Sequence, residues 1–188
     1  MLRTCYLGAK GINRLVQLKL HLTDYSIMKY PEEIAYSKLV DWCNKAERCR
    51  FDIARKLKLW GAESSFTEAC ISRLQKSNLF SDSRFASAFA HDKATLQRWG
   101  IQKIKLHLQA RGIARESIQE ALQQLENETH QENIRELAMR RWPAIKGKTE
   151  YERTSKLIQF LLRKGFPYDS IRKELSAADF NLDDINHL

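Results

Sequence analysis

Apolar residues recur at three- and four-residue spacing along most of the chain, and runs of β-branched residues are few. That pattern predicts helices rather than sheet. Ala35, Leu39, Trp42, Cys43 and Ala46 share one face of a first helix, with Pro31 suited to its first turn. Ile53, Leu57 and Trp60 mark a second, which stops at Gly61, and Ser65 and Glu68 have the spacing of a capping box for a third, with Ile71 and Leu74 turned inward.

Residues 79–125 predict three more helices. Ser81 is placed to cap the first, with Phe80 and Phe85 at the spacing of a hydrophobic staple and Trp99-Gly100 as its end. Ile101, Ile104, Lys105 and Leu108 mark a face of the next, closed by Arg111-Gly112. Ile118, Ala121, Leu122 and Leu125 form the stripe of the third. Beyond them, Ile134, Leu137, Ala138 and Arg141 continue the pattern to Trp142, where Pro143 breaks it. Thr149 and Glu152 make another capping box; Leu157, Ile158, Leu161 and Leu162 line the following helix to Lys164-Gly165; Pro167 opens a last one with Ile171 and Leu175.

The helix-ending glycines expose a repeat. Gly61, Gly112 and Gly165 lie 51 and 53 residues apart. Leu57, Leu108 and Leu161 stand four residues before them, Ile53, Ile104 and Leu157 eight before, and Ile71, Leu122 and Leu175 ten after. A degenerate period near 50 with three helices in each means tandem units packed in a row. The expectation is an all-α, elongated array of three three-helix modules: residues 28–79, 80–126 and 127–178. Residues 1–27 form an N-terminal extension expected to lack fixed order, and 179–188 a tail that frays. Met28-Lys29-Tyr30-Pro31 has the look of a natural beginning, so translation starting at Met28 is a further expectation.

Composition agrees: 43% hydrophobic residues permit a core, and three Pro and seven Gly suit helices. Net charge of +9 points to an acidic partner, whether nucleic acid, protein or an anionic surface. Cys5, Cys43, Cys49 and Cys70 show neither zinc spacing nor a paired framework, which fits reduced thiols in a cytoplasmic protein. No apolar run approaches a membrane span.

Candidate chemistry is sparse. Gly147-Lys148-Thr149 lacks the earlier glycine of a phosphate-binding loop, since Trp142 stands there. The five histidines are scattered without ligand spacing, and His107 is expected to be solvated among lysines. Glu116 and Glu120 belong to a solvated helix face beside Arg115. No nucleophile turn is present. The chain is expected not to be an enzyme and to need no cofactor or metal.

The basic residues cluster instead. Arg55 and Lys56, with Lys58, sit in the first module; Lys103, Lys105 and Arg111 in the second; Arg140, Arg141, Lys148, Arg163 and Lys164, with Lys146, Arg153 and Lys156, in the third. Recurrence at equivalent places predicts a shared binding surface. Trp60 and Trp99 are candidates for base stacking or for core packing, with core packing favoured.

Ser-Asp-Ser-Arg-Phe-Ala at 81–86, Ile104 and Leu108, Gly112-Ile113 and Ile118-Gln119-Glu120-Ala121-Leu122 together resemble the central module of the RecX family. The resemblance extends over roughly 32–176. Arg48-Cys49-Arg50-Phe51-Asp52-Ile53 occupies the place of the family's Arg-Ser-x-x-Glu-Leu segment, with Cys49 where a capping Ser is usual. Lys103 holds a position where the family has Arg, which keeps charge but removes a bidentate contact. Leu161-Leu162-Arg163-Lys164-Gly165-Phe166 is similar to the family's end. The resemblance implies a cytoplasmic regulator, mainly an inhibitor, that binds the RecA recombinase filament on DNA; the basic face is expected to meet filament acids or DNA phosphate, and the chain to be a monomer. The alternative is a stand-alone nucleic-acid-binding helical-repeat protein.

Overall fold

The structure, a computed structural model, describes residues 28–125 and 128–177. Both terminal stretches, with Cys5, Asp183 and Asp184, lie outside the described residues. Among the described residues nine α-helices follow one another and no strand occurs. In chain order they are α1 (Glu32–Lys45), α2 (Arg50–Leu59), α3 (Ser64–Lys76), α4 (Asp82–Thr95), α5 (Ile101–Gln109), α6 (Arg115–Gln123), α7 (Glu128–Arg141), α8 (Glu150–Lys164) and α9 (Tyr168–Ala177). A short 3₁₀ turn, Trp142–Ala144, follows α7 where Pro143 denies the helix a backbone donor.

Three apolar cores match the three helix triplets. Leu39, Ile53, Leu57, Ile71 and Leu74 fill the first, Ala86, Ala90, Ile104, Leu108 and Ile118 the second, and Ile134, Leu157, Leu161, Phe166 and Ile171 the third. The repeat is real in three dimensions. Gly61, Gly112 and Gly165 all have positive φ, at 77°, 70° and 95°. Leu57, Leu108 and Leu161 are each fully buried. A left-handed residue is what ends a helix and turns the chain toward the next one, and only glycine adopts it without steric cost.

Two residues stitch neighbouring units. Cys49, which precedes α2, is buried in the middle core, whereas Phe80, just before α4, is buried in the first. Phe80 and Phe85 therefore serve different cores rather than a shared staple. The Ser81 hydroxyl does cap α4, accepting from the Arg84 N–H at 3.3 Å. Likewise Thr149 accepts from the Glu152 N–H at 3.2 Å, and Glu152 accepts in turn from the Lys148 N–H at 2.9 Å.

Several local expectations fail for non-local reasons. The helix beginning at Asp82 ends at Thr95, not Trp99, and Arg98 takes a positive φ of 52°. Gly100 instead starts α5, because a Cβ there would overlap the Gly165 carbonyl. Ser65 does not cap α3, which Glu63 precedes without a side-chain cap; Glu68 pairs with Arg50 at 2.6 Å. Ala46 lies beyond α1 and is exposed, and Leu162 is 40% exposed.

A recurrent cation–aromatic face as candidate binding surface

The helix-to-helix bend that precedes the second helix of each triplet carries aromatic rings topped by cations. In the first, the Arg48 guanidinium lies 4.2 Å and the Lys56 ammonium 4.3 Å from the centre of the Trp42 ring; Lys56 is also 5.3 Å from Trp60. In the second, Lys103 lies 4.3 Å and Lys93 5.2 Å from the Trp99 ring, and Arg111 lies 5.1 Å from Phe89. His107 packs on Trp99 with ring centres 4.7 Å apart. In the third, Arg153 lies 4.1 Å from Trp142 and Arg141 5.5 Å from Phe160.

The first two clusters occupy equivalent positions. Applying the 51-residue offset of Gly61 and Gly112, Trp42 corresponds to Lys93, Arg48 to Trp99, Lys56 to His107 and Trp60 to Arg111. The ring and the cation have changed places while the pairing across the bend persists. Phe160 corresponds to Lys56 and His107 by the offsets of the glycines. Each ring's negative face attracts the cation set over it, and Arg153 also donates to the Ile145 carbonyl at 3.2 Å and the Trp142 carbonyl at 3.4 Å.

Among the residues expected at the site, Lys56, Lys103 and Arg111 join these clusters and are half-buried. Arg111 also donates to the His107 carbonyl at 3.0 Å, which holds it at the end of α5. Arg141 and Arg163 line a cleft of about 230 Å³ together with Lys146, Lys156 and Phe160. Arg55, exposed, leans toward Phe51 and Asp52. Arg140 is exposed near Glu136, and Lys148 is exposed. Lys164 turns to the Gln97 carbonyl at 3.3 Å, and Lys105 lines a separate groove between α5 and α6. Arg48, Lys93, Trp42, Phe89 and His107 were not among the expected site residues, and only the offset applied residue by residue would have found them.

His107 is not simply solvated. Partial burial, and then the nearby charges of Arg111, Lys103 and Lys93, push its pKa below the ordinary 6.5. The described thiols are held in their protonated form. Burial raises Cys43 and Cys70 and pushes Cys49 up to about 12. No group of three His, Cys, Asp or Glu among the described residues is arranged to hold a metal, and no described helix is long and apolar enough to cross a membrane. What the surface offers is charge next to π-faces.

The tandem array of helix triplets defines the class: an all-α helical-repeat protein. The family models for "RecX, second three-helix domain" and "RecX, third three-helix domain" match residues 81–122 and 128–175. "Regulatory protein RecX" of Xanthomonas axonopodis pv. citri is 30% identical over 156 residues, covering 83% of this chain and 93% of that protein. The chain belongs to the RecX family. The protein of that name in Clostridioides difficile is 31% identical over 146 residues, 76% of this chain and 66% of the relative. The one in Limosilactobacillus reuteri is 28% identical over 144 residues, 75% of this chain but only 54% of that relative's length. In fold the chain is similar to a crystal structure of regulatory protein RecX, with a TM-score of 0.71 at 23% identity over 94% of this chain and 83% of the other.

Proposed function

We propose that this chain binds the RecA recombinase filament on DNA and lowers its ATP turnover and strand exchange. Family membership supports the partner, and the cation–aromatic cluster recurring in three successive units supports the mode of binding. A row of similar weak sites on one chain gains affinity through effective concentration when the partner is itself repetitive, as a filament is. Lys56, Lys103, Arg111, Arg141 and Arg163 would meet filament carboxylates or DNA phosphates, while Trp42, Trp99 and Phe160 offer faces for stacking. Binding that favours one filament state shifts turnover without any catalytic group on this chain.

The units that act are taken to be residues 28–79, 80–126 and 127–178 of a cytoplasmic monomer. A second reading, a stand-alone nucleic-acid-binding protein, draws on the same rings and cations. One comparison separates the two: binding to single-stranded DNA alone, to recombinase alone, and to recombinase assembled on that DNA. The regulator binds the assembled filament most tightly, with affinity falling as salt rises. Equal affinity for bare DNA and filament would reject it in favour of the second reading.

A further inference from the structure

The third cluster opens onto a cleft of about 230 Å³ beside the 3₁₀ turn and α8. Lys156, Phe160 and Arg163 stand four and three residues apart on one face of α8. Arg141, at the end of α7, sets its guanidinium 5.5 Å from the Phe160 ring, and Ile145 and Lys146 come from the loop after the turn. That loop is pinned. Arg153 donates to the Ile145 and Trp142 carbonyls, and the Lys156 ammonium to the Lys146 carbonyl at 2.8 Å. Gly147 lies so close that an added Cβ would stand 2.8 Å from the Arg153 side chain. Four cations thus share the cleft with a half-buried ring, and no acidic residue lines it. Among the described residues none of the four pairs with a carboxylate.

We propose that this cleft holds one nucleotide of a single-stranded nucleic acid, its base against Phe160 and its flanking phosphates toward the cations. The inference rests on the reading that the basic face meets DNA, and adds which form of the strand is held and where. A base needs an apolar face and a phosphate needs charge, and a single strand presents both at every residue. Along α8 the ring lies about 6 Å beyond Lys156 and about 4.5 Å short of Arg163 at the helical rise. A base on the ring therefore directs a phosphate to a cation at either end. A duplex does not fit, because its base faces are already covered by stacked neighbours and cannot enter a cleft. A free nucleotide fits less well than a strand. The cleft's 230 Å³ is below the roughly 300–1,000 Å³ of small-molecule pockets, so affinity must come from contacts that continue outside it, as those of a strand do. An acidic protein segment would meet the cations and leave the ring without a stacking partner.

Anisotropy titrations of a labelled oligothymidylate with the full-length chain, run from low salt upward, test this. Phe160→Leu, which keeps apolar bulk over the core, should weaken binding about tenfold, the loss of one base–ring stack, and leave the salt dependence as in wild type. Lys146→Gln with Arg163→Gln should lower the slope of log K against log salt by about 1.4, the value of two phosphate contacts on a single strand. Circular dichroism confirms that both variants keep their helicity. Strand binding that neither variant alters would overturn the proposal, as would a wild-type chain that does not bind the oligomer. Thymidine triphosphate competing as well as the oligomer would overturn it by giving the cleft to a free nucleotide. If both variants lose inhibition of the recombinase filament while binding the bare strand normally, the cleft belongs to an acidic protein surface; the proposal fails and the regulator reading stands. Ring and charge effects on the oligomer in a chain that does not inhibit the recombinase would uphold the cleft and reject the regulator reading.

Discussion

The two joins between units are built differently. At the first, the contacts are made by side chains: the Asp82 carboxylate accepts from the Arg50 N–H at 2.8 Å, and Arg84 pairs with Glu47 at 2.8 Å and donates to Asn78. Cys49 completes it from inside the middle core. At the second, backbone meets backbone. The Gly100 N–H donates to the Lys164 carbonyl at 2.8 Å, and the Gln102 N–H to the Gly165 carbonyl at 3.0 Å. Gly100 and Gly165 approach so closely that a side chain on the former has nowhere to go. Asn133, buried, adds a hydrogen bond to the Ala94 carbonyl at 3.0 Å. The first join can be changed one side chain at a time. The second depends on the absence of side chains.

Substitutions can break or sharpen this contrast. The largest effect belongs to the core on which both joins rest: Leu108→Ala should cost about 2–5 kcal/mol in denaturant melts. A loss below about 0.5 kcal/mol would place Leu108 at the surface. Next is Gly100→Ala, whose φ of −78° suits any residue. It should cost about 3 kcal/mol by forcing Gly165 away, and hydrogen exchange should quicken at α5 and α8 while α2 is unchanged. Gly112→Ala is the control with the opposite physics. Its φ is +70° but nothing lies within 4 Å of an added Cβ, so the loss should be about 1 kcal/mol, from conformation alone. If the two alanines cost the same, steric closeness is not what distinguishes the second join.

Asp82→Ala should cost about 1 kcal/mol, the ordinary value of a lost helix cap. Its signature is fraying of α2, a helix thirty residues upstream in sequence, rather than of α4 alone. Unchanged exchange at Arg50 and Phe51 would show that Asp82 does not hold the first join. The smallest effect is titration of His107. Its folded pKa is lowered, so the unfolded chain takes up the proton first as pH falls below 6.5. Stability should therefore drop modestly on acidification from there and be indifferent to His107 at higher pH. In His107→Gln, melts at pH 7 and pH 5.5 should lose this component of the difference; an unaltered difference would assign it to other groups.

Much of this was legible in the sequence because much of it is local. Glycines at positive φ, the Ser81 and Thr149 caps and the buried leucine columns all follow from rules acting within one or two turns. The misreadings share one cause. Trp99-Gly100 has the look of a helix end, yet Gly100 answers to Gly165, sixty-five residues away. Glu68 has capping-box spacing, yet Arg50 takes it. The binding face was only half visible. Charge recurrence drew attention to Lys56, Lys103 and Arg111, and Trp60 and Trp99 stood out as rings, but Trp42, Phe89 and the pairing itself stayed hidden because Trp42 and Arg48 exchange identities with Lys93 and Trp99. A column comparison sees four mismatches where the fold keeps one arrangement.

The buried thiols turn the contrast between joins into something readable by chemistry. An alkylating reagent attacks thiolate, and with its pKa near 12 Cys49 offers almost none while the first join is closed. Opening that join returns Cys49 to water and to ordinary acidity, whereas Cys43 and Cys70 respond only to opening of the first core. The order in which Cys43, Cys49 and Cys70 acquire label therefore records which part of the array comes apart first, with no probe added to the chain.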